Sequence, residues 1–143
     1  MIPKIEKILY TTDLSENSAY VFGYAAGLAN RYDAKVTILH VLEDISVNTS
    51  RQLESMLGSD RFLELQRQRE QEGITTIQRQ VEKFCTDLKS EMTDCPFIVE
   101  DIRADMGDPG RRILEVAEEI DCDVIVMGTH GARDFAETML GST

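Results

Sequence analysis

Glycines, hydroxyls and a single acid at three places along the chain carry the chemistry this sequence offers. The first place is Gly128-Thr129-His130-Gly131, followed after nine residues by Gly141-Ser142-Thr143. Glycine-rich backbone lets N–H groups approach an anion closely, and a helix N-terminus behind it adds partial positive charge. Taken alone, the pattern has a second reading: a loop that needs positive φ at two positions. The other places are Thr11-Thr12-Asp13 and His40-Val41. Asp13 has a rival role as a helix cap, with Glu16 three residues on as its capping-box partner and Ser15 as a competing N-cap. His40 reads as a structural residue at a strand end rather than a proton shuttle. Arg111, Arg112 and Arg133 are long enough to reach a phosphate, but arginines on an acidic chain are usually surface pairs.

These residues need elements to position them. Ile5, Ile8, Leu9 and Tyr10 read as a short first strand. From Ser18 to Tyr32 two apolar rows, Val21-Ala25-Leu28-Tyr32 and Phe22-Ala26-Ala29, share one wide helical face. Lys35 to Leu42 is β-branched and aliphatic, a second strand. The polar stretch 43–50 has no clear period. Residues 51–92 carry helical spacing, cleanest at Ile74, Ile77, Val81, Phe84, Leu88 and Met92, with Gly73 expected to bend or fray that helix. Pro96 stops it, and Phe97 to Arg103 is a third strand. Asp108-Pro109 starts a helix, Asp as N-cap and Pro at the first turn, with Ile113, Leu114, Ala117 and Ile120 as its stripe. Asp123 to Gly128 is a short apolar strand of the kind buried on both faces of a parallel sheet.

Strand and helix alternate throughout, which predicts an open parallel α/β sheet with helices on both faces and right-handed crossovers. Ligands of such sheets bind outside the carboxyl ends of the strands, where the strand order reverses. All three chemical places fall there: after strand one, at the end of strand two, and after strand four.

The composition narrows the partners. The chain has 143 residues, 42% hydrophobic and 29% charged, with no Trp, so an aliphatic core within one domain is expected. Its formal charge of −11 disfavours nucleic acid and anionic membrane. The longest apolar runs, such as Ala19–Phe22, reach only four residues, far short of the ~20 that span a bilayer. Cys85, Cys95 and Cys122 are odd in number and lack C-x-x-C spacing, so three reduced thiols in a cytoplasmic protein are expected.

The glycine spacing at the end of strand four, G-x-x-G, nine residues, then G-[ST], resembles the nucleotide-binding signature of the universal stress protein family. The likeness extends along nearly the whole chain, through Ile8 to Ser15, Leu39-His40-Val41, Gly107-Asp108-Pro109 and Asp123 to Gly131. It implies an adenine-nucleotide α-hydrolase-like, Rossmann-like fold with strand order 3-2-1-4-5, in most members a homodimer. It also implies ATP or AMP as ligand, with Mg²⁺ accompanying ATP. By position, Asp13 matches the acid at the nucleoside end, with Thr11 and Thr12 walling the pocket. Val41 matches the residue whose backbone reads adenine, and Gly128 the ribose contact, with Met127 beside it among the binding residues. Gly131, Gly141, Ser142 and Thr143 match the phosphate cradle, with His130 inside the loop. The family pattern continues past the G-[ST] pair into a further helix and a fifth strand, whereas this sequence stops at Thr143. The expected unit is therefore a single domain, 1–143, shortened at its C-terminal end.

The function so implied is an adenine-nucleotide binding module in stress response, signalling through protein partners. The alternatives are an interaction protein that never fills the pocket, and a slow ATPase. No P-loop G-x-x-x-x-G-K-[ST] is present, and no acid is clearly placed beside the phosphate end, so little or no hydrolysis is expected. A receiver-domain reading, with Asp105 as phospho-acceptor, leaves the glycine loop unexplained.

Overall fold

The computed structural model describes residues 2–15, 18–43, 47–88 and 98–128. Within them the chain runs β1 (Lys7–Thr11), α1 (Ser18–Tyr32), β2 (Lys35–Glu43), α2 (Val47–Leu57), α3 (Ser59–Leu88), β3 (Ile98–Gly107), α4 (Pro109–Glu119) and β4 (Val124–Val126). The four strands form one parallel sheet in the order β3-β2-β1-β4. The order reverses at β1: the first crossovers step from β1 to β2 to β3, and the last returns to the far side of β1.

Alternation along each strand divides the core in two. Ile8, Tyr10, Val36 and Ile38 point to one face, where α1 and α3 bring Phe22, Ala25, Ala26, Ala29 and Ile77. Leu9 and Leu39 point to the other, where α4 brings Ile113 and Val116. Phe22 joins the helices of the first face, its ring 5.3 Å from Tyr10 and 4.9 Å from Phe84, edge-on to the latter.

Several element ends follow from single residues. Asp108 accepts a bond from the Arg111 amide at 3.1 Å and caps α4, with Pro109 in the first turn as expected. Helices α1 and α4 each end on an aspartate at positive φ, Asp33 at 55° and Asp121 at 52°. Both are followed by a reaching-back amide, Ala34 to the Ala29 carbonyl and Cys122 to the Ala117 carbonyl, the Schellman arrangement. At the N-terminal ends of β1 and β4, Asp123 accepts bonds from the Glu6 and Lys7 amides at 2.8 and 3.0 Å.

Three expectations change. The helical region 51–92 is two helices, broken at Gly58, whose φ of 86° suits glycine and ends α2. Gly73 does not interrupt α3; it is buried where the helix lies against the sheet. A Cβ there would stand 3.3 Å from the Ala104 Cβ and 3.5 Å from His40 Cδ2, so the glycine serves close approach. Strand β4 is half-buried rather than enclosed, because among the described residues it pairs only with β1.

The cysteines change as well. Cys85 is disulfide-bonded, not reduced, while Cys122 is a free, half-buried thiol. A disulfide requires only that two sulfurs meet in space, which spacing along the sequence does not reveal.

Candidate functional site

The turn after β1 is built from its own side chains. Thr12 Oγ1 accepts the Leu14 amide at 3.0 Å, and Asp13 Oδ1 accepts the Ser15 amide at 2.9 Å. These are ST- and Asx-turn bonds. They fold the chain so tightly that Leu14 takes a φ of 64°, a region non-glycine residues seldom occupy. The strain is held in place by the Leu14 side chain, which packs on the core under α1. Asp13 therefore shapes this turn, and it is exposed at the carboxyl end of the sheet. Thr11 and Thr12 are both buried at the end of β1. Ser15 Oγ is buried with no hydrogen-bond partner among the described residues.

The end of β2 lies alongside. His40 Nδ1 stands 2.8 Å from the Thr12 carbonyl oxygen. A carbonyl only accepts, so Nδ1 carries the hydrogen and donates it. The ring's Cδ2 edge faces Gly73 of α3. His40 thus is structural, as its place at a strand end predicts, but it acts across two elements.

The backbone of β2 has a fixed phase. Lys35 N–H bonds the Glu6 carbonyl and Thr12 N–H bonds the Leu39 carbonyl, both at 3.0 Å. In a parallel ladder both backbone groups of one residue face the same neighbour, and the next residue faces the other way. Residues 35, 37, 39 and 41 therefore face β1. Strand β1 ends at Thr11, opposite Leu39, so Val41 N–H and C=O face a space that β1 has left. Among the described residues no bond joins Val41 to Thr12.

Across β1, strand β4 ends at Val126, level with Tyr10. Met127 and Gly128 follow at the same end of the sheet, Met127 exposed and Gly128 half-buried. Thr11, Thr12, Asp13, Val41, Met127 and Gly128 are thus gathered at the carboxyl ends of three adjacent strands. His130, Gly131, Gly141, Ser142 and Thr143 lie outside the described residues, as does Arg133.

On the face covered by α4, Val41 pairs in register with Asp105 of β3. Asp105 Oδ2 receives Arg112 Nε at 2.9 Å and Arg103 Nη2 at 3.1 Å. Arg112 also holds Glu115 at 2.9 Å and Glu119 at 3.2 Å. Arg112 is spent on three carboxylates, the surface pairing its setting predicts. Asp105 lies between two guanidinium groups, which disfavours the receiver-domain reading.

A family model, the universal stress protein family, matches residues 4–143. The chain belongs to the universal stress protein family. Universal stress protein MJ0577 of Methanocaldococcus jannaschii is 28% identical over 137 residues, 96% of this chain and 84% of that one. A universal stress protein A homolog of Haemophilus influenzae is 32% identical, over 95% of this chain and 84% of the relative. Among solved structures, MJ0577 superposes with a TM-score of 0.60 at 25% identity, covering 94% of this chain and 82% of its own. UspA of Lactobacillus plantarum gives 0.61 at 20% identity, covering 94% and 83%. A universal stress protein solved in complex with cAMP gives 0.58 at 16%, covering 98% and 85%. The parallel sheet, its helices and its strand order are those of the universal stress protein fold.

The family pattern leads to Asp13, Val41 and Gly128, but not to Ser15 or to the linkage of His40 with Gly73. A serine in a turn and a glycine in a helix are too common to stand out. What distinguishes them is burial and contact.

Proposed function

We propose that this universal stress protein binds an adenine nucleotide, ATP or AMP, at the carboxyl ends of β1, β2 and β4. The observation that carries the reading is the backbone of Val41, whose N–H and C=O are turned to the side of β2 past the end of β1, beside the Asp13 turn at the switch point of the sheet. An N–H and a C=O side by side match the donor and acceptor edge of adenine, and an exposed carboxylate suits a ribose hydroxyl. The buried hydroxyl of Ser15 is a further group that lacks a protein partner. The described residues therefore fit the nucleoside end of such a ligand. The relative solved with cAMP shows that the fold accommodates an adenine nucleotide in that protein.

The phosphate end of the proposal rests on sequence pattern, with Gly131, Gly141, Ser142, Thr143 and His130 around the phosphates and Mg²⁺ arriving with ATP. Hydrolysis is slow or nil, below the ~1–10³ s⁻¹ of ordinary enzymes. The bound state is read by protein partners, the chain acts as a homodimer, and it works in the cytoplasm.

Titration calorimetry with AMP and ATP tests the reading directly. Saturable binding is expected, and Gly128→Val, which obstructs close backbone approach, weakens it by about tenfold or more. No heat of binding at millimolar nucleotide defeats the proposal. Unchanged affinity in the variant moves the site away from β4.

A further inference from the structure

We propose that His40 is a positioning residue that ends the β1–β2 ladder and so keeps the Val41 amide open. The inference rests on the nucleotide reading only for its consequence in binding. Its structural part stands by itself.

The ladder phase makes the argument. Thr12 N–H bonds the Leu39 carbonyl, and the next rung of a parallel ladder would carry Val41 N–H to the Thr12 carbonyl. That rung is absent. The Thr12 carbonyl instead receives the ring N–H of His40 at 2.8 Å, from the residue immediately before Val41. On β2, Val36 and Ile38 face α1 and α3, and the His40 ring lies on the same face. Its pull on the carbonyl is therefore toward that face and away from the line of the ladder. The ring lies against Gly73 of α3, where a Cβ would meet His40 Cδ2 in ordinary contact at 3.5 Å. Beyond Thr12 the chain enters the strained turn at Leu14, which cannot continue as a strand. One imidazole therefore does two things: it satisfies a carbonyl at the end of β1, and it leaves a neighbouring backbone donor to a ligand.

The test uses amide hydrogen exchange on the unliganded protein, with the Ile38 amide as a control for global opening, and calorimetry with adenosine. His40→Leu fills similar space without a donor. His40→Gln is polar but cannot place its amide where Nδ1 lies. His40→Asn can. In the parent protein the Val41 amide exchanges fast relative to Ile38. In His40→Leu and His40→Gln the missing rung forms, and exchange at Val41 slows by about tenfold, while His40→Asn keeps the parent rate. Adenosine affinity falls by about the same factor in the first two variants and is retained in the third.

A Val41 amide already protected in the parent, or unaffected by both His40→Leu and His40→Gln, overturns the inference. If the exchange pattern appears but adenosine, AMP and ATP all fail to bind the parent, the nucleotide reading falls and the role of His40 in the ladder stands. If His40→Leu does not fold, His40→Gln against His40→Asn decides the matter.

Discussion

Asp123 and Ser15 show how much can hang on one polar atom. The carboxylate of Asp123 accepts two backbone N–H groups, from Glu6 and Lys7, and these hold its pKa below the usual carboxylate value. A carboxyl whose folded pKa is depressed adds stability above its unfolded value, about 3.9, and loses it as pH falls through the folded value. Asp123→Asn removes the charge but keeps an acceptor. The parent is therefore expected to be more stable than the variant near neutrality, with the gap closing below about pH 4. Urea midpoints measured across that range check it, and parallel curves count against it. Ser15 works in the opposite direction. Its buried Oγ lacks a partner, so Ser15→Ala is expected to raise the unliganded protein's stability by up to about 1 kcal/mol. If the hydroxyl serves a ligand, the same variant lowers nucleotide affinity, and thermal melts with and without AMP separate the two effects. Neither role is legible in the sequence. Asp13 was legible, because an acid following a strand and preceding a helix stands out, although its bond to Ser15 makes it a turn-former rather than the cap of α1.

Elements with a strong period were legible, and those set by contact were not. Helix α1 spans Ser18–Tyr32, as its two apolar rows require, and α4 starts where Asp108-Pro109 directs. Of the stripe Ile74, Ile77, Val81, Phe84, Leu88 and Met92, the residues Ile77, Val81 and Phe84 pack on the core, and Met92 lies outside the described residues. The start of α2 at Val47 was hidden in a polar stretch with no period, and the break at Gly58 is one residue long. Gly73 is the most instructive case. Propensity alone says that glycine weakens a helix by ~1 kcal/mol relative to alanine, and on that basis a bend was expected. The helix stays continuous because the missing Cβ lets α3 settle against Ala104 and His40. A methyl at 3.3 Å from the Ala104 Cβ forces the helix and β3 apart by a few tenths of an ångström, and the Ala104 methyl cannot rotate away. Gly73→Ala is thus expected to be near neutral, its propensity gain offset by crowding. Gly73→Val adds two methyls and should cost about 2–3 kcal/mol. It should also disturb His40, so exchange at Val41 slows as it does in His40→Leu. A stabilised Gly73→Val with unchanged exchange would show that the close approach has no structural weight.

At the scale of the whole molecule, alternation of strand and helix made the parallel sheet legible, and the family pattern gave the order β3-β2-β1-β4. The sequence pattern could not reveal how the surface is distributed around it. Helices α1 and α3 cover one face and α4 the other, and among the described residues β4 has no strand on its outer side. Residues 123–127 contain no Lys or Pro, the usual guards of an exposed edge. Helix α1 exposes Tyr20 at 71% and Tyr24 at 61%, their hydroxyls 3.0 Å apart. An edge that is unpaired among the described residues, in a molecule whose α1 also exposes aromatic surface, favours association of two copies. Each copy carries a formal charge of −11, so the pair repels at long range, and salt should relieve that repulsion. Self-association is therefore expected to strengthen as ionic strength rises from about 10 to about 150 mM, where the screening length shrinks from ~30 to ~8 Å. Val124→Lys places a charge on the edge at a half-buried position outside both core clusters, so it should block pairing with little loss of fold. Light scattering over a concentration series, at both salts and with both proteins, separates the possibilities. A parent that remains monomeric throughout would mean that this edge is covered from within the chain. A Val124→Lys variant that still associates would move the interface to the tyrosine surface of α1.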